Sequence, residues 1–399
     1  MLRRVKSQRL RPQVILLGLV SLLNDSASEM IYPLLPVFLV STLGATPLIV
    51  GIIEGSADAL ASVLKLAAGS MSDRMPRRKP LIVVGYFLAA LSRGWIAVAS
   101  RWPSVLAARL LDRTGKGIRS APRDAMIADV TPQESRGKAF GFHRALDHTG
   151  AVVGPLLALL FLNALHLQLR TIFLIAVIPG AIAVVLLMAF LVEDRRPRLS
   201  PGASAGGTGK SACPPQFWVA LSAISLFSLA NSSDVYLILQ AHAAGVSTAM
   251  LPALWGAHHV IKALFSTSAG ARSDTAGRRK LLVAGWLSYA VIYFIFPLAH
   301  DTAFFFALFV AYAIPFTLSE GAERAWISDL VPAEIRGKSF GIYYLASGLF
   351  VLGGTALFGL LYQHVSPRAA FHTGAALAVA AAVAVIAGSG KTNPRPSAR

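Results

Sequence analysis

Ionisable side chains inside long apolar segments are the residues of this sequence that could do chemistry. The richest segment, 102–128, would place seven charged side chains within one arc of about 140° on a helix. The seven are Arg109, Asp112, Arg113, Lys116, Arg119, Arg123 and Asp124. Because an ionised residue at the centre of a bilayer costs about 2.5–3.5 kcal/mol on insertion scales, this charged stripe is expected to face protein or water.

Four carboxylates in the first two apolar segments are candidates for carrying a proton. They are Asp25, Glu29, Glu54 and Asp58. Desolvation raises the pKa of a carboxyl group and a nearby guanidinium lowers it, so movement of the charged stripe away from these acids would load a proton and its return would expel it. The alternative is that the acids neutralise the stripe in fixed buried pairs, since the stripe sums to +3 and the first two segments to −3.

A sparser set of polar and aromatic residues predicts where a solute would be contacted. The candidates are Asn24, Tyr32, Asn231, Asp234, Trp255, Tyr312, Glu320, Glu323 and Arg324. The adjacent His258 and His259 would point about 100° apart on a helix and are interpreted as polar core residues, not as metal ligands. The single cysteine, Cys213, excludes an internal disulfide and a cysteine metal cluster. We expect neither a metal nor a cofactor, and a proton as the coupling ion.

The composition places these charges in a membrane protein. The 399 residues are 55% apolar and 14% charged, with a mean hydropathy of +0.61, which leaves too few polar residues to coat a soluble domain. Twelve apolar segments each approach the roughly 20 residues that cross about 30 Å of hydrocarbon. They lie near 13–42, 46–71, 80–100, 102–128, 138–164, 171–192, 216–244, 248–270, 281–299, 302–328, 338–363 and 369–389. The predicted fold class is an all-α integral membrane protein with twelve transmembrane helices.

The distribution of basic residues predicts the orientation. The N-terminus, alternate linkers and the tail hold 24 Lys and Arg, whereas the opposite loops hold three, at Arg101, Arg170 and Arg368. The positive-inside rule therefore puts both termini in the cytoplasm, in a multi-pass protein of the cytoplasmic (inner) membrane. The net charge of +18 is then a topology signal that also meets anionic lipid, and a nucleic-acid partner is not expected. The first segment is expected to remain as a span, because it is too long for a cleavable signal peptide and carries polar residues.

A linker rich in Pro, Gly, Ser and Arg divides the chain almost evenly. It predicts an N-terminal six-helix bundle over 1–192, a cytoplasmic linker over 193–215 and a C-terminal six-helix bundle over 216–399. We expect the chain to act as a monomer.

Two sequence repeats relate these halves. Gly69, Asp73, Arg77, Arg78 and Lys79 recur as Gly270, Asp274, Arg278, Arg279 and Lys280, each set between two apolar segments. The segment 129–141 matches 329–341 with eight identities in thirteen positions. Corresponding parts in two halves are typical of transporters built from parallel repeats, which bind substrate between the halves.

The two loops resemble the signature that follows spans 2 and 8 of the major facilitator superfamily. The resemblance covers the whole chain, and it implies two pseudo-symmetric six-helix bundles. It also implies a cytoplasmic gate in which Asp73 and its neighbouring arginines hold helix ends together in one conformation. The residues matched to this gate are Gly69, Asp73, Arg74, Arg77, Arg78, Gly270, Asp274, Arg278 and Arg279. Because Thr275 stands where the family usually has Arg, neutralising Asp274 is expected to have a milder effect than neutralising Asp73.

A second resemblance concerns the fifth segment. Gly141, Gly150, Gly154 and Pro155 are similar to a motif typical of antiporters of this superfamily, although Leu157 and Ala158 stand where that motif ends in two glycines. Tyr32-Pro33-Leu-Leu-Pro36 resembles the first span of its twelve-span drug:proton antiporters. Plain close packing of small residues is the alternative interpretation of the glycines.

These observations predict a secondary transporter that exports a small organic compound by proton antiport and alternating access. The alternative is a transporter, for uptake or export, of an anionic solute or a metal chelate, which the five bases on the fourth segment favour. A membrane enzyme is not expected, because no paired nucleophile and base or metal cluster stands out.

Overall fold

The computed structural model describes residues 9–45, 47–193, 212–231, 236–237, 240–241, 244–246 and 250–387. The predicted site residue Asp234 lies outside this part of the chain. The side chains of Glu54 and Asp58 also lie outside it, although both positions belong to a helix.

Every predicted apolar segment contains a helix, and most ends agree within a few residues. The exception is segment 216–244, because its helix ends at Ala230 and much of 232–249 lies outside the described residues. The helices are α1 (Pro12–Ile31), α2 (Pro47–Arg74), α3 (Lys79–Val98), α4 (Trp102–Val130), α5 (Arg136–Leu159), α6 (Leu169–Ile175 and Val177–Phe190), α7 (Pro215–Ala230), α8 (Leu251–Ala276), α9 (Arg278–Ile295), α10 (Thr302–Ala311 and Ala313–Asp329), α11 (Arg336–His364) and α12 (Pro367–Ala387). A short helix Leu35–Val37 and a π-helical turn Phe38–Thr42 follow α1, and another π-helical turn, Leu160–Ala164, continues α5. Eight helical segments of the described residues are at least 18 residues long and apolar enough to cross a membrane.

Several helices begin where the sequence supplies a start signal. Proline stands in the first turn of α1, α3, α4, α7 and α8, where its missing N–H leaves no bond unmade and its fixed φ suits a helix. Asp301 caps α10 by accepting a hydrogen bond from the amide of Phe304 at 2.8 Å.

The two halves meet through corresponding helices. Helix α2 packs against α11, and α5 packs against α8, so each half contributes one helix to each contact. Within the N-terminal half, α4 packs against α2 and α3, and α1 packs against α5. This places the charged stripe of α4 among helices of its own half. The linkers 72–79, 129–138, 271–280 and 329–338 share one end of the molecule, which we call the basic end.

Candidate functional site

A cavity of about 180 Å³ lies inside the N-terminal half, between α1, α3 and α4. Its wall combines both signs of charge and includes Asn24, Asp25, Ser28, Glu29, Tyr32, Ser92, Arg93, Arg109, Asp112, Arg113, Lys116 and Arg119. The structure therefore brings two predicted proton carriers, two predicted solute contacts and most of the charged stripe to one place. Arg93 of α3 completes the site. The sequence offered one signal for it, since it is a guanidinium inside an apolar segment.

The two carboxylates of α1 form no ion pair within 4 Å in the described part of the chain. Asp25 accepts a hydrogen bond from Asn24 Nδ2 at 2.9 Å and forms no ion pair within 4 Å among those residues. Glu29 makes no hydrogen bond or ion pair with any described residue. Both side chains line the cavity, so they can exchange protons or meet a cationic group.

Within α4, two carboxylates pair with three of the five bases of the stripe. Asp112 lies 3.3 Å from Arg109 and 3.9 Å from Arg113, and Asp124 lies 2.9 Å from Arg123. The sequence left open whether the acids of the first two segments neutralise these bases. Among the described residues, neither Asp25 nor Glu29 forms an ion pair with a base of the stripe. For these two acids, the structure therefore favours a free proton-binding role over fixed pairing.

Two guanidinium groups of the cavity wall stand apart from this pairing. Arg93 is only 2% exposed and donates to the carbonyl and Oδ1 oxygens of Asn24, at 3.1 and 2.8 Å. Arg119 donates to the carbonyl of Gly85 at 3.3 Å and lies over the ring of Tyr86. Neither has a carboxylate within 4 Å among the described residues, and the Nε atoms of both are buried without a hydrogen-bond acceptor.

The central contact between the halves is built around Glu320 of α10. Its carboxylate pairs with Arg144 of α5, lies 2.9 Å from Lys262 Nζ of α8 and lies 3.4 Å from His148 Nε2 of α5. His148 in turn contacts His259 of α8 through their Nδ1 atoms, at 3.2 Å. A residue predicted as a solute contact is thus a bridge between the halves in this conformation.

We expect Glu320→Gln to lower the midpoint of thermal unfolding in detergent micelles by several degrees. The change leaves Lys262 and Arg144 with one fewer counter-ion in a buried site, and breaking such a pair costs about 3–5 kcal/mol. Glu334→Gln, at an exposed glutamate of the basic end, is the matched control and should keep the wild-type midpoint. An unchanged midpoint for Glu320→Gln would show that Glu320 contributes little to holding the halves together.

Asp124 forms a second bridge. It is fully buried, pairs with Arg123 of its own helix, and also contacts Arg324 of α10 at 3.4 Å and the hydroxyl of Tyr344 on α11. Glu323 is buried and accepts a hydrogen bond from Tyr343 of α11 at 3.1 Å. The predicted solute contact Arg324 therefore bridges the halves, whereas Glu323 bonds within the C-terminal half.

The remaining predicted solute contacts pack into an aromatic core of the C-terminal half. Tyr312 is 1% exposed, donates to Asn231 Oδ1 at 3.4 Å and stacks near Tyr293 and His258. Trp255 lies 5.6 Å from His259, measured between ring centroids. In this conformation these aromatic residues stabilise the half; they do not line the cavity between α1, α3 and α4.

At the basic end, each half caps a helix of the other. Asp73 at the end of α2 accepts hydrogen bonds from the amides of Gly337 and Lys338, at 2.9 and 2.7 Å, in the first turn of α11. Asp274 at the end of α8 accepts from the amides of Gly137 and Lys138, both at 2.8 Å, in the first turn of α5. The first amides of a helix have no partner within the helix and carry partial positive charge, so a carboxylate is well suited to them.

Arginine and aspartate residues extend each cap into a chain that crosses between the halves. Arg78 is fully buried and joins Asp73 at 2.8 Å to Asp129 at 3.3 Å, and Asp129 accepts from Arg336 of the other half at 2.8 Å. The second chain runs from Asp274 through Arg278 and Asp329 to Arg136. We call each cap with its chain a latch. Burial raises the pKa of the Asp73 carboxyl, which lies beyond the predicted segment 46–71, and Arg78 and the two amides oppose that rise.

The latches use only some of the residues that the sequence matched to the gate. Arg78 and Arg278 take part, whereas Arg74 and Arg77 are exposed and bond to no described residue. Arg279 lies over the ring of Trp326. The sequence prediction missed Asp129, Arg136, Asp329 and Arg336, although the repeat of 129–141 at 329–341 contains all four.

Glycines allow the helices of the latches to approach closely. A Cβ on Gly69 would collide with the backbone oxygen of Gly337, and one on Gly270 would collide with that of Gly137. Gly141, of the antiporter-like motif, likewise faces Ser266 of α8, whereas Gly150 and Gly154 face the backbone of α1 and Pro155 lies inside α5. The motif therefore serves one contact between the halves and one within the N-terminal half.

Gly69→Ala is expected to reduce the transport rate at least fivefold while leaving membrane insertion normal. The added methyl group would push α2 away from α11 and weaken the closed state of the basic end. Gly256→Ala is the matched control, because a Cβ there meets no atom within 4 Å. The prediction is wrong if both variants transport at the wild-type rate.

Comparison with known proteins identifies the family. The sequence profile of the Major Facilitator Superfamily matches residues 17–259 and 239–399. An uncharacterized MFS-type transporter of Methanocaldococcus jannaschii is 31% identical over 378 residues, which cover 93% of this chain and 94% of that protein. The multidrug resistance protein MdtH of Photorhabdus laumondii is 32% identical over 127 residues, which cover 32% of this chain and 31% of that protein.

Solved structures share the fold at low sequence identity. The proton:xylose symporter XylE superposes with a TM-score of 0.74 at 18% identity and covers 93% of this chain and 94% of its own. A bacterial homologue of the iron transporter ferroportin, in an outward-facing state, superposes with a TM-score of 0.72 at 16% identity and covers 96% of this chain and 100% of its own. The sequence match, the two helical halves and the paired latches lead to one conclusion: this chain belongs to the Major Facilitator Superfamily and is a multi-pass membrane transporter of small molecules, not an enzyme.

Proposed function

We propose that this transporter exports a small organic compound from the cytoplasm in exchange for protons. The observation that carries the proposal is the pair Asp25 and Glu29, two carboxylates that line a cavity and form no ion pair with described residues. A cationic group of the solute and a proton would compete for these oxygens. Competition for one site is the simplest basis of antiport, because the site crosses the membrane with one occupant or the other.

Alternating access would arise from the latches. With both latches formed, the basic end is closed; breaking them would let α2 separate from α11 and α5 from α8. Separation would also remove Arg144 and His148 from Glu320, and Arg324 from Asp124. The strong bias of basic residues supports a cytoplasmic location for the basic end and for both termini.

The partial relative supports the direction of transport. MdtH is named a multidrug resistance protein, and its match covers 127 residues. A proton that enters through 100 mV supplies roughly 2.3 kcal/mol, which could drive about fifty-fold accumulation of an uncharged solute if coupling were tight.

The proposal is tested in proteoliposomes that contain a pH-sensitive dye and a panel of small organic amines and lipophilic cations. An outward gradient of a transported compound should drive protons into the vesicles, so the lumen should become more acidic as the compound leaves. Solute movement without any proton movement would contradict proton antiport.

A second candidate is transport, as uptake or export, of an anionic solute or a metal chelate. It is favoured by Arg93 and Arg119 of the cavity wall, which have no carboxylate within 4 Å among the described residues. An anion would bind better when Asp25 and Glu29 are protonated, so its affinity should rise as the pH falls. A cation that competes with protons should show the opposite trend, and binding measured at two pH values separates the candidates.

A further inference from the structure

Asn24 keeps a buried cation and a partly buried anion apart inside the cavity. Its Oδ1 accepts a hydrogen bond from Arg93 at 2.8 Å, and its Nδ2 donates to Asp25 at 2.9 Å. A guanidinium and a carboxylate this close would normally pair directly, and such pairs are strong and often bidentate. Here one amide occupies the position between them, so each group retains unused bonding capacity.

Both the cationic and the anionic groups of the cavity have hydrogen-bonding capacity that described residues do not use. Arg93 and Arg119 are 2% and 6% exposed, and the Nε groups of both lack an acceptor within the described part of the chain. On the other side, Asp25 has only the hydrogen bond from Asn24, and Glu29 has no described partner. An unsatisfied buried polar group costs about 1–3 kcal/mol, so a ligand that satisfies both kinds of group at once would gain the most.

The cavity is also small. Its volume of about 180 Å³ is below the roughly 300–1,000 Å³ typical of sites for drug-sized ligands. Ser28 and Ser92 add hydroxyl groups to a wall that is mostly polar. These features favour a compact, highly polar solute over a large lipophilic one.

We infer that the solute is a small zwitterion, with an oxyanion directed to Arg93 and Arg119 and an ammonium group directed to Asp25 and Glu29. This inference rests on the proposed proton exchange and names its substrate class. The ammonium group displaces protons from the carboxylates, which gives antiport. The oxyanion satisfies the guanidinium groups, which would explain why a transporter of a cationic group retains Arg93 and Arg119 beside its acids.

The inference is tested by measuring dissociation constants of the purified, full-length protein for matched sets of ligands. Each set contains a free amino acid, its methyl ester, which keeps only the positive charge, and its N-acetyl derivative, which keeps only the negative charge. Phosphoethanolamine is added so that a phosphate oxyanion can be distinguished from a carboxylate. We expect at least one zwitterion to bind at least tenfold more tightly than both of its singly charged partners.

Two variants test the oxyanion subsite. Arg119→Gln should reduce the preference for the zwitterion over the ester at least tenfold and leave ester binding unchanged, and Arg93→Lys should have a smaller effect in the same direction. Arg101→Gln, at an exposed arginine of the opposite end, should bind like the wild type. If Arg119→Gln fails to fold, Arg93→Lys and the ligand sets still test the inference.

The outcomes separate this inference from the proposed function. Equal affinity for the zwitterion and either singly charged partner, or no binding by any zwitterion, overturns the inference. Zwitterion binding that releases no proton, measured with a pH indicator in weakly buffered solution, supports the inference and contradicts proton exchange. Ester binding that releases a proton, without any preference for the zwitterion, contradicts the inference and supports proton exchange.

Discussion

Replacing Asp73 by Asn is expected to lower the transport rate at least tenfold without reducing membrane insertion. The Asp73 carboxylate accepts two amide hydrogen bonds from the first turn of α11 and pairs with the fully buried Arg78. An amide side chain has one acceptor oxygen, and its NH₂ group would face an N–H donor of the same helix end. Hydrogen bonds to a charged group contribute about 1.5–3 kcal/mol each, and about 1.4 kcal/mol corresponds to a factor of ten. The variant would therefore populate the closed basic end much less often.

Two matched variants sharpen this test. Asp274→Asn should have an effect similar to that of Asp73→Asn, because Asp274 caps α5 with the same two bonds and pairs with Arg278. The sequence predicted a milder effect from the missing arginine at Thr275, but the corresponding Arg74 is exposed and takes no part in the first latch. Arg74→Gln should consequently transport like the wild type.

The measurement is the initial transport rate divided by the amount of inserted protein. A normally inserted Asp73→Asn protein with the wild-type rate would contradict a role for the latch in the cycle. A large loss in Arg74→Gln would instead show that this arginine takes part in another conformation.

The sequence could predict the helices and the two capping aspartates, Asp73 and Asp274, because hydropathy and repetition can be read from the sequence alone. It could not predict what Asp73 binds, since its partners lie 264 and 265 residues away and are backbone amides. Nor could it choose Arg78 from three nearby arginines, because that choice depends on how the chain turns between α2 and α3. That turn buries Arg78 and leaves Arg74 and Arg77 exposed.

For the charged stripe too, the sequence could predict the position of the residues but not their partners. Its arc on α4 follows from helical periodicity, and the structure places five of its members in the cavity wall. The partners of its arginines could not be assigned from charge sums, which treat all acids as equivalent. In the structure Asp112 pairs with Arg109 and Asp124 pairs with Arg123, both within α4, whereas Asp25 accepts a hydrogen bond from Asn24. The decisive residue was an uncharged amide, which a count of charges ignores.

Neutralising Asp25 or Glu29 is expected to abolish accumulation driven by a pH gradient while preserving exchange of solute across a membrane without a gradient. Asp25→Asn and Glu29→Gln each remove one proton-binding carboxylate but leave the other to hold the cationic group of the solute, so binding and conformational change can continue. We expect accumulation to fall at least tenfold in one of the two variants, and solute exchange to stay within about threefold of the wild type.

The four single variants of Asp25, Glu29, Glu54 and Asp58 should be measured together in proteoliposomes, with Glu334→Gln as an exposed control. A variant that loses both accumulation and exchange would have lost solute binding, so only the separation of the two identifies a proton site. If all four variants retained full accumulation, the proton would have to bind elsewhere. Glu320 and Asp124 would then be the strongest candidates, because each carboxylate bridges the halves and would lose basic partners when they separate. Asp147 would be a weaker one, since its partner Arg144 belongs to the same helix and moves with it.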